Sequence, residues 1–156
     1  MNLKQGDKLV SMDVLTSDLV DQLAKINNEN EEDLENNSSN GPWVLIASAF
    51  GLGKRVPVAQ FRLQKRAGMG LRAIKFRIKE DQLVCLKVLG EGEELLLVTE
   101  KGVIVRTNAD KISQQSRAAT GVKLQRLDDG DHLSEVVLVP REQLEEEDHP
   151  SQVEQN

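Results

Sequence analysis

Apolar residues along this chain come in short runs, and most runs stop at a glycine or a charged pair. The runs cover residues 44–49, 71–78, 83–89, 95–99, 103–107, 122–127 and 133–139, with a leading piece of mixed polarity at 3–15. Their lengths of five to eight residues and their Val, Ile and Leu content predict strands. Gly51, the Gly90-Glu91-Gly92 stretch and Glu100-Lys101-Gly102 supply tight connections, because glycine accepts the positive φ that such turns need. A helical core built from the same leucine-rich runs conflicts with the glycine spacing. Trp43, Phe61, Phe76 and Cys85 fall at apolar-pattern positions and are read as packing residues. The expectation is an all-β fold.

The runs also repeat. A shift of 51 residues lays 43–70 on 94–121 without a gap, so that WVLIASAFG meets ELLLVTEKG. Under it Arg55 falls on Arg106, Gln64 on Gln115, Arg66 on Arg117 and Gly70 on Gly121. A second match lays Leu3 to Leu9 on Leu127 to Leu133, including the Gly-Asp pairs Gly6-Asp7 and Gly130-Asp131. A period near fifty residues with about four strands is the signature of a propeller-like blade. One such sheet cannot bury both of its faces, so neighbours must cover it. The division expected is the end of a preceding blade at 1–16, an acidic insertion at 17–42, blades at 43–93 and 94–141, and an acidic tail at 142–156. Leu19, Leu23 and Ile26 could line a short helix at the start of the insertion, and the Asn/Glu-rich stretch 27–41 reads as a mobile loop.

The net charge of -6 changes meaning once it is resolved along the chain. Residues 51–79 hold Lys54, Arg55, Arg62, Lys65, Arg66, Arg72, Lys75, Arg77 and Lys79 without one Asp or Glu. Residues 101–126 carry Lys101, Arg106, Lys111, Arg117, Lys123 and Arg126 against Asp110 alone. A polyanion responds to local potential, so two basic zones between acidic flanks remain compatible with nucleic acid. The loop Gln64-Lys65-Arg66-Ala67-Gly68-Met69-Gly70 places two cations beside glycines that let a duplex approach the backbone. Its counterpart, ending at Gly121, keeps Arg117. Both arginines have a second reading, in which they pair with main-chain carbonyls and shape their loops. Lys54 and Arg55 should leave a strand edge on opposite faces, with only one turned toward DNA. The repeated pair Arg55 and Arg106 fits a structural role equally well. Arg62, Arg72, Lys75 and Lys123 complete the candidate DNA-binding set, as a diffuse field that holds backbone with little base preference. With no Tyr, one Trp and three Phe, the stacking platforms of single-strand binders are missing.

Catalytic chemistry lacks its parts. Two histidines, His132 and His149, and one cysteine offer no metal-ligand spacing. The GLGKR segment lacks the first glycine of a phosphate loop and the Ser or Thr after its lysine. No run approaches the ~20 apolar residues of a membrane span, and no signal peptide is recognisable at the start. The expectations are no independent active site, no cofactor in this chain, no membrane partner and a cytoplasm-like compartment.

GLGKRVPVAQFRLQKRAGMGLRAIK, followed by the stretch from ELLLVTEKG through GVKLQRLDDGDHL, resembles the last blades of the C-terminal domain of DNA gyrase A. The likeness runs from Trp43 to about Val139, with 3–15 similar to the end of the preceding blade. It implies a β-pinwheel, a propeller variant whose blades exchange strands and whose rim wraps duplex DNA. It also implies, as partners, the remaining blades, the breakage-reunion region of gyrase A and the gyrase B protein, in a bacterial cytoplasm or an organelle stroma. The whole homologous protein would be an ATP-dependent type II topoisomerase. The related topoisomerase IV protein is the alternative family, and a structural or protein-interaction β-repeat is the alternative function. Gln64 to Gly70 departs at three positions from the family's QRRGGKG box, which puts its share in wrapping in doubt.

Overall fold

The computed structural model describes residues 3–17, 20–21, 41–62, 64 and 68–139. Leu19, Leu23 and Ile26, the acidic stretch 27–40, Lys65 and Arg66, and the acidic tail lie outside these. Seven strands form two sheets. They are β1 (Trp43–Ser48), β2 (Leu52–Pro57), β3 (Leu83–Leu89), β4 (Glu94–Thr99), β5 (Ile104–Asn108), β6 (Val122–Lys123) and β7 (Leu133–Val139). One sheet has the order β3-β1-β2-β6 and the other β5-β4-β7; the strands within each pair antiparallel, and an isolated parallel bridge joins Arg55 to Gln114. The all-β reading holds.

β1 is buried along its whole length because both of its faces are covered. Leu45 and Ala47 enter a core shared by the two sheets, with Cys85, Leu89, Leu95, Leu97, Ile112, Leu133 and Val136. Val44 and Ile46 enter a second cluster with Val56 and Val58, roofed by Leu15, Phe61, Ala73 and Ile74. Each fully buried leucine in the shared core contributes about 1.5–3 kcal/mol relative to exposure. β4 has only one core face, so it alternates: Leu95, Leu97 and Thr99 are buried and their neighbours are not.

The repeat is physical. β1, β2 and β3 correspond to β4, β5 and β7, and a 3-10 turn follows the hairpin in both units, at Val58–Gln60 and Ala109–Lys111. Even the irregularity recurs: β1 shifts register between Ala47 and Ser48, and β4 between Val98 and Thr99. Gly51 and Gly102 close the two hairpins at φ 75° and 83°. A buried aspartate pins each corner. Asp81 accepts from the Ser48 hydroxyl at 2.8 Å and from the Phe50 and Gln82 N–H groups. Asp131 accepts from the Lys101 and His132 N–H groups.

Two expected strands are corrected. Residues 71–78 alternate in polarity but form no strand; Ala73 and Ile74 instead roof the outer core cluster, and Phe76 stays exposed. The run 122–127 shrinks to the two residues of β6, which leave their own repeat and pair with β2 of the first. That exchange demands close backbone approach. A Cβ on Gly121 would stand 2.7 Å from the Gly53 carbonyl oxygen, and one on Gly53 would stand 2.5 Å from Leu124 Cδ1. By contrast β5, the counterpart of β2, leaves Ile104 62% exposed, since no described segment crosses it.

Candidate nucleic-acid interface

The first repeat's β2 lies under a strap formed by residues 112–124 of the second. Arg55 N–H donates to the Ser113 carbonyl, and Gln115 N–H donates back to the Arg55 carbonyl at 2.9 Å. Further on, Leu124 N–H donates to the Gly51 carbonyl at 2.8 Å. The strap covers the two cations of the GKR segment. Lys54 opposes Ile46 and Arg55 opposes Leu45, so they leave β2 on opposite faces, yet both are consumed internally.

Lys54 is fully buried, and its Nζ donates to the carbonyls of Ser116, Arg117 and Ala119 at 2.7, 2.8 and 2.7 Å. All three ammonium donors are thereby used. Burial, helped by the nearby Arg117 charge, pulls this lysine down to about 8. Arg55 donates from Nε to the Ile112 carbonyl and from its two terminal nitrogens to the Asp110 carboxylate, at 2.8 Å, and the Asp110 carbonyl. Its guanidinium also lies 4.6 Å from the centre of the Trp43 ring, while Trp43 Nε1 donates to Gln114 Oε1. Neither cation can reach a phosphate from these positions. Both are corrected to fastenings between repeats.

Other candidates sit outside. Arg62, Arg72 and Lys75 are exposed and form no ion pair with any described carboxylate. Arg117 is half-buried: one terminal nitrogen donates to the Arg72 carbonyl at 3.3 Å, and its guanidinium lies 5.9 Å from the Phe61 ring centre. Its N–H donates to Gln60 Oε1, and Lys75 N–H donates to the Ala119 carbonyl. The segments around 60–62, 72–75 and 116–119 therefore adjoin, and each carries an arginine or lysine. Arg77 and Lys79 follow Lys75 in the chain and are exposed as well; the sequence reading counted them in the acid-free run but left them out of the candidate set. Lys123 is exposed on β6, opposite Leu52. Arg106 is paired with Glu94, across the β4–β5 hairpin.

The remaining titratable groups point away from catalysis. Burial pushes the Cys85 thiol up to about 11, which leaves it a packing residue. Asp131 is pushed up by burial, but the Thr99 hydroxyl, the N–H groups of Lys101 and His132 and the Lys101 charge outweigh this and hold it below its ordinary value. Among the described residues no cluster of His, Cys, Asp and Glu could hold a metal ion. No helix among them is long and apolar enough to cross a membrane.

Comparison with known proteins gives this face its setting. The family described as the DNA gyrase C-terminal domain, β-propeller, matches residues 1–16, 42–84 and 93–140. The chain is 47% identical over 150 residues to the DNA gyrase A protein of Synechocystis sp. (strain ATCC 27184 / PCC 6803 / Kazusa), covering 90% of this chain and 17% of that protein. It is 33% identical over 142 residues to the DNA gyrase A protein of Staphylococcus epidermidis (strain ATCC 12228 / FDA PCI 1200), covering 91% and 14%. The chain thus spans under a fifth of the length of these curated relatives. Among solved structures, a DNA gyrase A C-terminal domain superposes with a TM-score of 0.56 at 32% identity, over 64% of this chain and 34% of that one. The C-terminal domain of a DNA topoisomerase IV superposes at 0.58 and 24% identity, over 67% and 32%, and shares the fold. With blade-like sheets, an exchanged strand and this match over most of its length, the chain belongs to the DNA gyrase C-terminal β-propeller domain family.

Proposed function

We propose that this chain binds duplex DNA without sequence preference and serves DNA wrapping as part of a gyrase A protein. The observation that carries the reading is the adjoining of Arg72 and Lys75 from one repeat with Arg117 from the next, with Arg62 close by in the chain. Cations spaced along one face neutralise successive phosphates, and such contacts position a duplex without reading bases. Because the strap locks one sheet to the other, each blade adds its cations at a fixed angle to the last. A duplex following them must bend. Bending a site of 20–30 base pairs costs on the order of 1–6 kcal/mol, so two blades alone should bind without constraining supercoils.

On this reading residues 1–16 close a preceding blade, and 43–93 and 94–141 are two successive blades that share strands. Lys123 adds a further phosphate contact, as does Arg106 where its pairing with Glu94 opens, and Lys65 and Arg66, outside the described residues, are proposed as DNA-binding on their sequence alone. The chemistry of strand passage belongs to other parts of the assembly: the breakage-reunion region of gyrase A and the gyrase B protein, acting in a bacterial cytoplasm. The relatives named as gyrase A proteins support this placement. The test is a duplex titration of the full chain against Arg72→Glu, Lys75→Glu and Arg117→Glu combined. A collapse of affinity in a folded variant supports the reading. Unchanged affinity refutes it and leaves a structural or protein-interaction repeat.

A further inference from the structure

A lysine in the middle of a strand ordinarily snorkels to water, and Lys54 does not. It sits opposite Ile46 under the strap, and no described carboxylate compensates its charge. The charge that acts on it is cationic, that of Arg117 on the loop; Lys75 meets the same Ala119 carbonyl only through its main-chain N–H, Lys123 lies on β6 opposite Leu52, and β1 contributes no charge. The ammonium is held by main-chain carbonyls alone. Three carbonyls within four residues point at one buried position, where the ammonium supplies a donor to each; without it their dipoles would be left unsatisfied.

We propose that Lys54 is a positioning residue for the DNA-facing loop of the following repeat, its ammonium fixing the 116–119 backbone and so the place of Arg117 beside Arg72 and Lys75. The proposal rests on the duplex-binding reading above. Two of the carbonyls it holds lead directly to that face. The Arg117 carbonyl belongs to the contacting residue itself, and the Ala119 carbonyl also accepts Lys75 N–H at 3.3 Å. One buried charge thereby sits beneath the cations of both repeats. The second repeat has Val105 at the corresponding position, on the strand that no described segment crosses. The lysine is present where there is a loop to hold. A neutral amine keeps two donors and presents a lone pair, so it cannot serve three carbonyls.

The experiment uses the full chain and a short labelled duplex at about pH 7 and about pH 9, on either side of the Lys54 titration near 8. Four proteins are compared: wild type, Lys54→Met, Arg117→Ala and the double variant. At about pH 7, Lys54→Met should bind about tenfold more weakly, the scale of one lost charge-assisted contact. Adding Arg117→Ala should cost nothing further, since both changes act through the same contact. Wild-type affinity should fall toward that of Lys54→Met at the higher pH, and the variant should stay flat. A folded Lys54→Met with wild-type affinity, multiplying losses in the double variant, or a flat wild-type profile would each overturn the assignment. If Lys54→Met does not fold, the profiles of wild type and Arg117→Ala decide: only the former should fall across pH 8, and like behaviour overturns the role. Unchanged binding by Arg117→Ala would overturn the duplex reading itself, and this role with it.

Discussion

Gly70 and Gly121 occupy the same place in the two repeats, and alanine at each separates backbone strain from close approach. Both have positive φ, 76° and 99°. An alanine Cβ at Gly70 would meet no described atom within 4 Å, whereas at Gly121 it would stand 2.7 Å from the Gly53 oxygen and 2.9 Å from its carbonyl carbon. Left-handed backbone costs a residue with a Cβ roughly 1–2 kcal/mol, and Gly70→Ala should cost only that. Gly121→Ala must also lift the strap from β2, because the obstructing atoms are backbone and cannot rotate away. Lifting endangers the Leu124 N–H bond to the Gly51 carbonyl and the Gln115 N–H bond to the Arg55 carbonyl, each worth about 0.5–1.5 kcal/mol. The expected cost is about 2–5 kcal/mol at Gly121 against about 1–2 at Gly70. Urea unfolding measures it through Trp43, the single tryptophan, whose indole is bonded to the strap at Gln114. Equal midpoints for the two variants would refute the close approach.

Arg55→Lys should destabilise the fold by about 1–3 kcal/mol and change Trp43 emission, because lysine cannot serve the Ile112 and Asp110 acceptors while stacking on the ring; an unchanged midpoint would contradict the fastening. Cys85 should resist a thiol reagent in the native chain and react once urea exposes it; reaction at the rate of a free thiol would show that it is not buried. Asp131 titrates below its ordinary value when folded, so its stabilisation is present above the unfolded value and disappears as pH falls through the folded one. The urea midpoint should therefore lose its Asp131 share below about pH 4, and Asp131→Asn should flatten that limb of the profile; identical acid limbs would contradict this.

The periodicity and the glycine spacing carried most of the architecture. The 51-residue shift marks equivalent strands, and runs 83–89 and 133–139 coincide with β3 and β7. What the pattern could not carry was pairing across repeats. Alternation at 71–78 describes a surface with two faces but names no ladder partner, and the structure uses it to roof a core instead. One of Lys54 and Arg55 reads as turned toward DNA, because cations are rarely buried. Their acceptors lie 55 to 65 residues away in sequence, on a strap that local pattern cannot place. Opposite faces were legible from strand alternation; that both faces are covered was not. The corner aspartates had a faint signal, since Asp81 and Asp131 each stand two residues before the strand-opening leucine. Only the match of Gly6-Asp7 to Gly130-Asp131 was visible at first, because Glu80 replaces the glycine at Asp81.

The shared cationic face is tested most directly by the salt dependence of duplex binding, since each phosphate contact adds about 0.9 to the slope of log affinity against log salt. Neutralising Arg72, Lys75 and Arg117 together should lower that slope by between two and three such contacts, roughly 2–3. Neutralising Lys101 and Lys111, exposed cations in the β4–β5 turn and the 3-10 turn after β5, should leave it near the wild-type value. Equal slopes for the two sets would mean that the duplex follows no face built from both repeats.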